Sequence, residues 1–464
     1  MRRVQPDLWF WLAIYGLLVV IAVGALPLRI SEILQLIAHG EHSWGRFIGW
    51  IPQAPGSAPL GYFVQFPFVR LLGPSRFGAR LPSLLFGLGS CYLFWGVVQR
   101  IRLRRPYWAL AVFALLPSHY FSASEGLPFE QGLFLLLLAT TFFFRLLDSP
   151  TLKWALWYSA SLTLCIYTER FSYLPAVGYL LLLFAFVKQA QQRRVIWFAL
   201  PSTILPALLF VPYYLWARPR VNPHWLFAPA APNTPSSVYL EALQKFAGGG
   251  VTGYALSLLL LVGFLLSLWG LSRPTAAALP RTINILCLFG GALTTILIVL
   301  GVDVWSGYRF QATQVLWAMP GVVVSCFAAL ESLGPQPVRR FFANAAAGVL
   351  LVLCIVADGE YVTTPREDLA REAALIRPEL QGDACVVFVS QGLSKLLFLV
   401  FDPGLEQHVC RDFFHARTVL ASHPYVHASQ QKNAESFFRG LNFTEIKRLP
   451  VGGGQIVVMQ STGK

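Results

Sequence analysis

The stretch Leu8-Trp-Phe-Trp-Leu-Ala-Ile-Tyr-Gly-Leu-Leu-Val-Val-Ile-Ala-Val-Gly-Ala-Leu26 carries no charge and is followed at once by Pro27-Leu-Arg-Ile-Ser-Glu32. It is long enough to cross a bilayer, and no small-residue cleavage site follows it, so it reads as a first membrane span and not as a removed leader. A carboxylate then stands a few residues beyond the span. Ionisable groups near membrane depth are costly, and their placement is informative.

Apolar runs continue along the chain. Spans are expected at about 8–26, 78–98, 107–121, 128–147, 152–168, 170–188, 196–216, 251–271, 281–301, 310–331 and 341–357. Hydrophobic residues make up 56% of the 464 positions and charged ones 12%, against about 25% charged in soluble domains, which excludes a cytosolic enzyme. The net charge of +14 resides mostly in short connections, so membrane orientation explains it better than nucleic acid does. Arg2 with Arg3, the run Arg100 to Arg105, Lys188 with Arg193 and Arg194, Arg273 with Arg281, and Arg339 with Arg340 alternate onto one side. That side is cytoplasmic by the positive-inside rule, and the N-terminus lies there. An odd number of spans puts the C-terminus outside.

Two outer segments are long. In the first, 27–77, surface helices are expected over 30–39 and 60–72. The second, 217–250, is rich in Pro, Asn and Gly and reads as a loop. From 358 to 464 the composition turns polar. Strand-like runs at 385–389 and 456–459 and helical patterns at 366–377 and 430–441 suggest a small outer α/β domain. Cys385 and Cys410 fall there and either pair or remain free, since sequence does not give their separation. The other five cysteines lie in spans as packing residues. The fold expected is a mostly α polytopic bundle of about eleven spans (1–357) with that α/β domain (358–464).

Glu32, Glu125, Glu169 and Asp303 are all expected on the outer side. Each has a bland reading. Glu32 caps a helix or acts as a base; Glu125 starts a helix or joins Glu32 at a cavity. Glu169 neutralises Arg170, and Asp303 neutralises Arg309, or they line a site. His119 is a satisfied polar residue or a ligand. Arg309, following Trp305, Gly307 and Tyr308, has the guanidinium fork that grips phosphate. Aromatic residues anchor the interface or line a sugar cavity.

The outer loop as a whole carries a family pattern. Glu32 follows the first span, then Ser57-Ala-Pro-Leu-Gly-Tyr62, then Gly73-Pro-Ser-Arg-Phe-Gly-Ala-Arg-Leu-Pro-Ser83. This resembles the GT-C superfamily of integral membrane glycosyltransferases, and within it the family 39-like group that includes protein O-mannosyltransferases and lipid A aminoarabinose transferases. Ser31 replaces the aspartate of that group's Asp-Glu pair. Ser122-Ala-Ser-Glu-Gly-Leu-Pro-Phe129 is similar to its next motif, with Leu127 in place of an arginine. Ile166-Tyr-Thr-Glu-Arg-Phe171 and Gly307-Tyr-Arg-Phe-Gln-Ala-Thr313 resemble later ones, with Glu169 for histidine and Thr313 for arginine.

The resemblance implies a polyprenyl-phosphate sugar donor and an acceptor hydroxyl or similar group at the outer face of a bacterial inner membrane. Glu32 is then the expected base and Glu125 its partner. Tyr62, His119, Glu169, Arg170, Tyr308 and Arg309 are expected substrate contacts. A divalent metal on Glu32, Glu125 and His119 is an alternative source of positive charge. Two other readings stay open: a lipid-linked sugar flippase, and a non-catalytic scaffold of the same fold.

Overall fold

The computed structural model describes the chain except residues 1–5, 41–42, 54–57, 186–189, 221–246, 249, 272–278, 307–315, 333–336, 365, 367, 383, 390–392, 411–417, 422–423, 452–453 and 463–464. Ten of the eleven expected spans are mostly helical over their described residues, and the stretch 107–121 is interrupted. In chain order the helices are α1 Pro6–Ala25, α2 Ile30–Gly40, α3 Trp44–Trp50, α4 Pro59–Leu72, α5 Arg76–Ile101, α6 Pro106–Ala114, α7 Pro117–Ser124, α8 Phe129–Asp148 and α9 Leu152–Thr168. They continue as α10 Leu174–Ala185, α11 Ala190–Ala217, α12 Gly250–Leu271, α13 Leu279–Ser306, α14 Met319–Ser332 and α15 Pro337–Thr363. Seven of the described helices are long and apolar enough to cross a membrane.

One expected span is corrected. The stretch 107–121 is not continuous: it breaks at Leu115 and Leu116, and α7 restarts on Pro117 at its first position. Proline lacks the N–H that would continue the ladder, and its fixed φ suits a helix start. The break leaves α7 as a short buried helix that delivers Glu125 at its C-terminal end. The expected outer helices are present as α2 and α4. The short α3 between them was not foreseen; Ser43 caps it by accepting from the Arg46 N–H.

The long helices expose large apolar side chains outward, among them Leu17, Trp197, Leu265 and Val352. Apolar residues facing outward on a polytopic bundle suit lipid. Inside, Tyr15, Phe94, Phe113, Phe143, Leu260 and Phe327 build one core. At one end of the bundle Arg100 pairs with Asp148 at 2.6 Å, Arg105 bonds Asn344 at 2.7 Å, and Glu331 accepts from Arg281 and from the Arg104 N–H. These arginines belong to the connections expected to be basic. Two acids, Asp148 and Glu331, are paired into that end. Glu32, Glu125 and Glu169 lie at the other.

The C-terminal region contains α16 Leu369–Glu379, α17 Leu393–Phe401, α18 Pro424–Gly440 and four strands: β1 Cys385–Phe388, β2 Thr418–Ala421, β3 Phe443–Val451 and β4 Gly454–Ser461. The sheet order is β1-β2-β4-β3, with β1 and β2 parallel and the other pairs antiparallel. Strands β2 and β3 were not legible beforehand. This region packs through apolar contact: Ile33, Leu34 and Leu36 of α2 share a core with Ile376, Phe388, Phe398 and Val458. Arg76 reaches across to Asp368 at 2.9 Å and to the Gly24 carbonyl at 3.0 Å.

Cys385 and Cys410 form a disulfide across a sequence separation of 25. Closing a loop of that length restricts the unfolded chain and is worth about 3 kcal/mol. Replacing both cysteines by serine should therefore leave the bundle intact but accelerate protease cleavage between α16 and β4. The measure is limited proteolysis of purified protein with and without reductant, where reductant should matter only for the parent chain.

Candidate active site

Glu32 follows the first span by one turn of α2 and is fully buried. A buried carboxylate needs donors, and this one has four. Arg80 of α5 holds it by a bidentate fork, Nε to Oε1 and Nη2 to Oε2, both at 2.7 Å. The Arg29 N–H donates to Oε2 at 2.7 Å and the Gly126 N–H to Oε1 at 2.6 Å. Arg80 is itself fully buried. Its remaining N–H groups cap the end of α1, donating to the carbonyls of Val23 (3.3 Å), Leu26 (2.7 Å) and Pro27 (2.8 Å). Fork geometry and satisfied lone pairs are what make a buried ion pair tolerable. Glu32 thus ties α1, α2, α5 and the α7–α8 turn together. Both of its oxygens are occupied by these donors.

The same turn is held from a second side. Gln65 of α4 donates to the carbonyls of Ala79 (2.7 Å) and Gly126 (2.9 Å), which leaves its oxygen as the acceptor for His39 Nε2 at 2.8 Å. Burial among Phe47, Tyr62 and Phe66 pushes the His39 imidazole down to about 4, although Gln65 opposes the shift. Position 126 must be glycine, since a Cβ would stand 2.8 Å from the Ala79 carbonyl oxygen.

Glu125 is placed by this clamped turn and is 2% exposed. Oε1 accepts from the Tyr361 hydroxyl at 2.5 Å and faces Arg29 Nη1 at 2.9 Å. Oε2 is buried with no hydrogen-bond partner among the described residues. Tyr361, near the end of α15, stacks on Phe121 with ring centroids 3.5 Å apart. The Arg29 guanidinium lies 5.6 Å from the Tyr361 ring and that of Arg366 4.0 Å. The Arg29 side chain is 43% exposed. The arrangement is a fixed, buried carboxylate with one oxygen unpartnered among the described residues, beside two guanidiniums, at the bundle end opposite the Arg100 cluster. It can accept a proton or hold a hydroxyl, and it can offset charge developing on an anion.

Glu32 and Glu125 have partners in common: Arg29 donates its N–H to Glu32 and its guanidinium to Glu125, and Gly126 adjoins Glu125 and donates to Glu32. The remaining expectations divide. Tyr62 is buried against Gln35 beside the turn. Glu169 is buried, accepts from the Phe171 N–H at 3.4 Å, and has its carboxyl pushed up by burial against the opposing pull of Arg170. Among the described residues no interaction joins Glu169 or Arg170 to Glu125. His119 is fully buried and packs against Tyr15 and Phe113, away from Glu125. Tyr308 and Arg309 lie outside the described residues.

The metal set expected from Glu32, Glu125 and His119 does not fit. Glu32 is filled by four donors, His119 turns into the bundle, and no group of three or more His, Cys, Asp or Glu among the described residues is placed to hold an ion. Arg80, His39, Gln65 and Tyr361 were not foreseen as parts of the site. For Arg80 a signal existed in the Arg-Leu-Pro-Ser block; for Tyr361 none did.

No family model matches the sequence, and no curated protein sequence matches it. Solved structures do. ArnT from Cupriavidus metallidurans in the apo state aligns over 97% of this chain and 97% of its own, with a TM-score of 0.57 at 13% identity. ArnT from the same organism bound to undecaprenyl phosphate aligns over 98% of each chain with a TM-score of 0.54 at 12% identity. The archaeal oligosaccharyltransferase AglB from Archaeoglobus fulgidus, in complex with an inhibitory peptide and a dolichol-phosphate, aligns over 85% of this chain and 63% of its own, with a TM-score of 0.50 at 11% identity. The chain has the fold of these solved ArnT and AglB structures.

Proposed function

We propose that the protein is a membrane glycosyltransferase that moves a sugar from a polyprenyl-phosphate donor to an acceptor hydroxyl or similar group at the outer face, with Glu125 as the base. The single observation that carries this is the state of Glu125: one oxygen fixed by Tyr361 and Arg29, the other buried and unpartnered. Polyprenyl phosphate leaves readily, so the protein need not supply a strong acid. The acceptor proton passes to Oε2 as its oxygen attacks the sugar. Arg29 and Arg366 offset the charge left on the departing phosphate. Solved ArnT carries undecaprenyl phosphate and AglB a dolichol-phosphate, which supports the donor class.

The lipid tail has a bed beside α3 and α4. An apolar cavity of about 400 Å³ is lined by Ile48, Ile51, Pro59, Phe63, Tyr213 and Trp216, between the outer helices and α11. The disulfide in the C-terminal domain suits an oxidising compartment. The basic end of the bundle suits the cytoplasm. Both support an N-terminus inside and the domain outside, in a bacterial inner membrane.

Two tests follow. In reconstituted membranes supplied with a panel of radiolabelled polyprenyl-phosphate sugars, Glu125→Gln should lower transfer about a hundredfold or more while melting like the parent. Arg80→Met should instead lose about 3–5 kcal/mol of stability by leaving Glu32 buried and unpaired. Full turnover by Glu125→Gln would remove it from the base role. Separately, trypsin added to intact spheroplasts should release fragments of the C-terminal domain. Protection until the membrane is permeabilised would reverse the assigned topology.

A further inference from the structure

Behind the Glu125 turn lies a second group of titratable residues that sugar transfer does not use. His119 of α7 and Glu130 of α8 are both fully buried. They bracket the turn: α7 ends at Ser124, α8 begins at Phe129, and Glu125 and Gly126 are carried between. His119 Nε2 is 3.4 Å from Glu130 Oε2 and 3.5 Å from the Tyr15 hydroxyl. His119 Nδ1 is 3.2 Å from the Ala114 carbonyl oxygen. A carbonyl only accepts, so Nδ1 carries the hydrogen, and in a neutral ring Nε2 presents its lone pair.

That fixes the problem at the other nitrogen. A neutral imidazole beside a carboxylate would set lone pair against lone pair between two fully buried side chains. Neither Glu130 oxygen has a hydrogen bond of good geometry among the described residues, and no Arg or Lys there is paired with it. The groups that face the pair are Tyr15 from α1, Ser90 and Cys91 from α5, and Asp358 from α15, which acts on Tyr15 and Tyr120. None brings a positive charge. One proton between Nε2 and Oε2 removes the conflict and leaves the pair neutral overall, whichever atom holds it.

We propose that His119 and Glu130 form a proton-binding site inside the bundle, and that the shared proton clasps α7 to α8 and so positions the turn carrying Glu125. His119 and Glu130 are positioning residues here; they act through the turn. A carboxamide at position 130 still donates to Nε2, so Glu130→Gln keeps the clasp without the proton. Glu130→Ala and His119→Leu lose it.

Two readouts test this without any transfer assay. Infrared difference spectra of wild type against Glu130→Gln at neutral pH, with ¹⁵N-labelled histidine, should show either a protonated carboxylic acid or a protonated imidazole assigned to this pair. A carboxylate beside a neutral imidazole would overturn the site. Hydrogen exchange of the peptide spanning the α7–α8 turn should stay close to wild type in Glu130→Gln and rise about tenfold in Glu130→Ala and His119→Leu. Unchanged exchange in the latter two would overturn the clasp. If neither of them folds, the infrared comparison of wild type with Glu130→Gln still decides the proton.

Discussion

The end of the bundle that holds Glu125 is organised by one buried ion pair. Glu32 and Arg80 come from different helices, both fully out of water, and each is saturated with partners. Such a pair contributes little net stability, because desolvation cancels most of the Coulomb attraction, but it is intolerant of any change in geometry. Its effect is therefore to fix relative positions. The carboxylate fixes the start of α2 and the amide of Gly126; the guanidinium fixes the end of α1. Every distance at the candidate site is referred to this clamp.

Two carboxylates that share partners are thereby given different surroundings. Glu32 is surrounded by donors and has no lone pair to offer. Glu125, one residue before the clamped amide, keeps an oxygen in reserve. Tyr361 and Arg29 orient it, and both lie where the C-terminal domain joins the bundle. Arg29 leads into α2, which packs on the domain core; Tyr361 closes α15, which leads into it. Movement of the domain would reach Glu125 through both.

Much of the fold was legible in the sequence because membrane spans announce themselves by length and apolarity. The arginines in short connections gather at one end of the bundle, as their sequence positions suggested. Helices α2 and α4 followed from periodicity. The break at Leu115 and Leu116 was not legible: α6 and α7 are apolar throughout, and Pro117 alone does not say whether a helix kinks or stops. Strands β2 and β3 failed for a different reason. The run Thr418 to Ala421 is four residues long, and Phe443 to Val451 carries Glu, Lys and Arg on an exposed edge. At the site, sequence singled out the two glutamates. It did not give their surroundings, because which groups donate to a carboxylate is decided by the fold. Arg80, Arg29 and Tyr361 come from separate elements, and their convergence is tertiary.

The most direct test of the central claim is a cryo-electron microscopy map of the protein in nanodiscs loaded with undecaprenyl phosphate. Phosphate density beside the Arg29 and Arg366 guanidiniums, with Glu125 still held by Tyr361 and its second oxygen turned toward the bound group, is the predicted result. Phosphate bound at the opposite end of the bundle, or a Glu125 side chain directed away from it, would contradict the account.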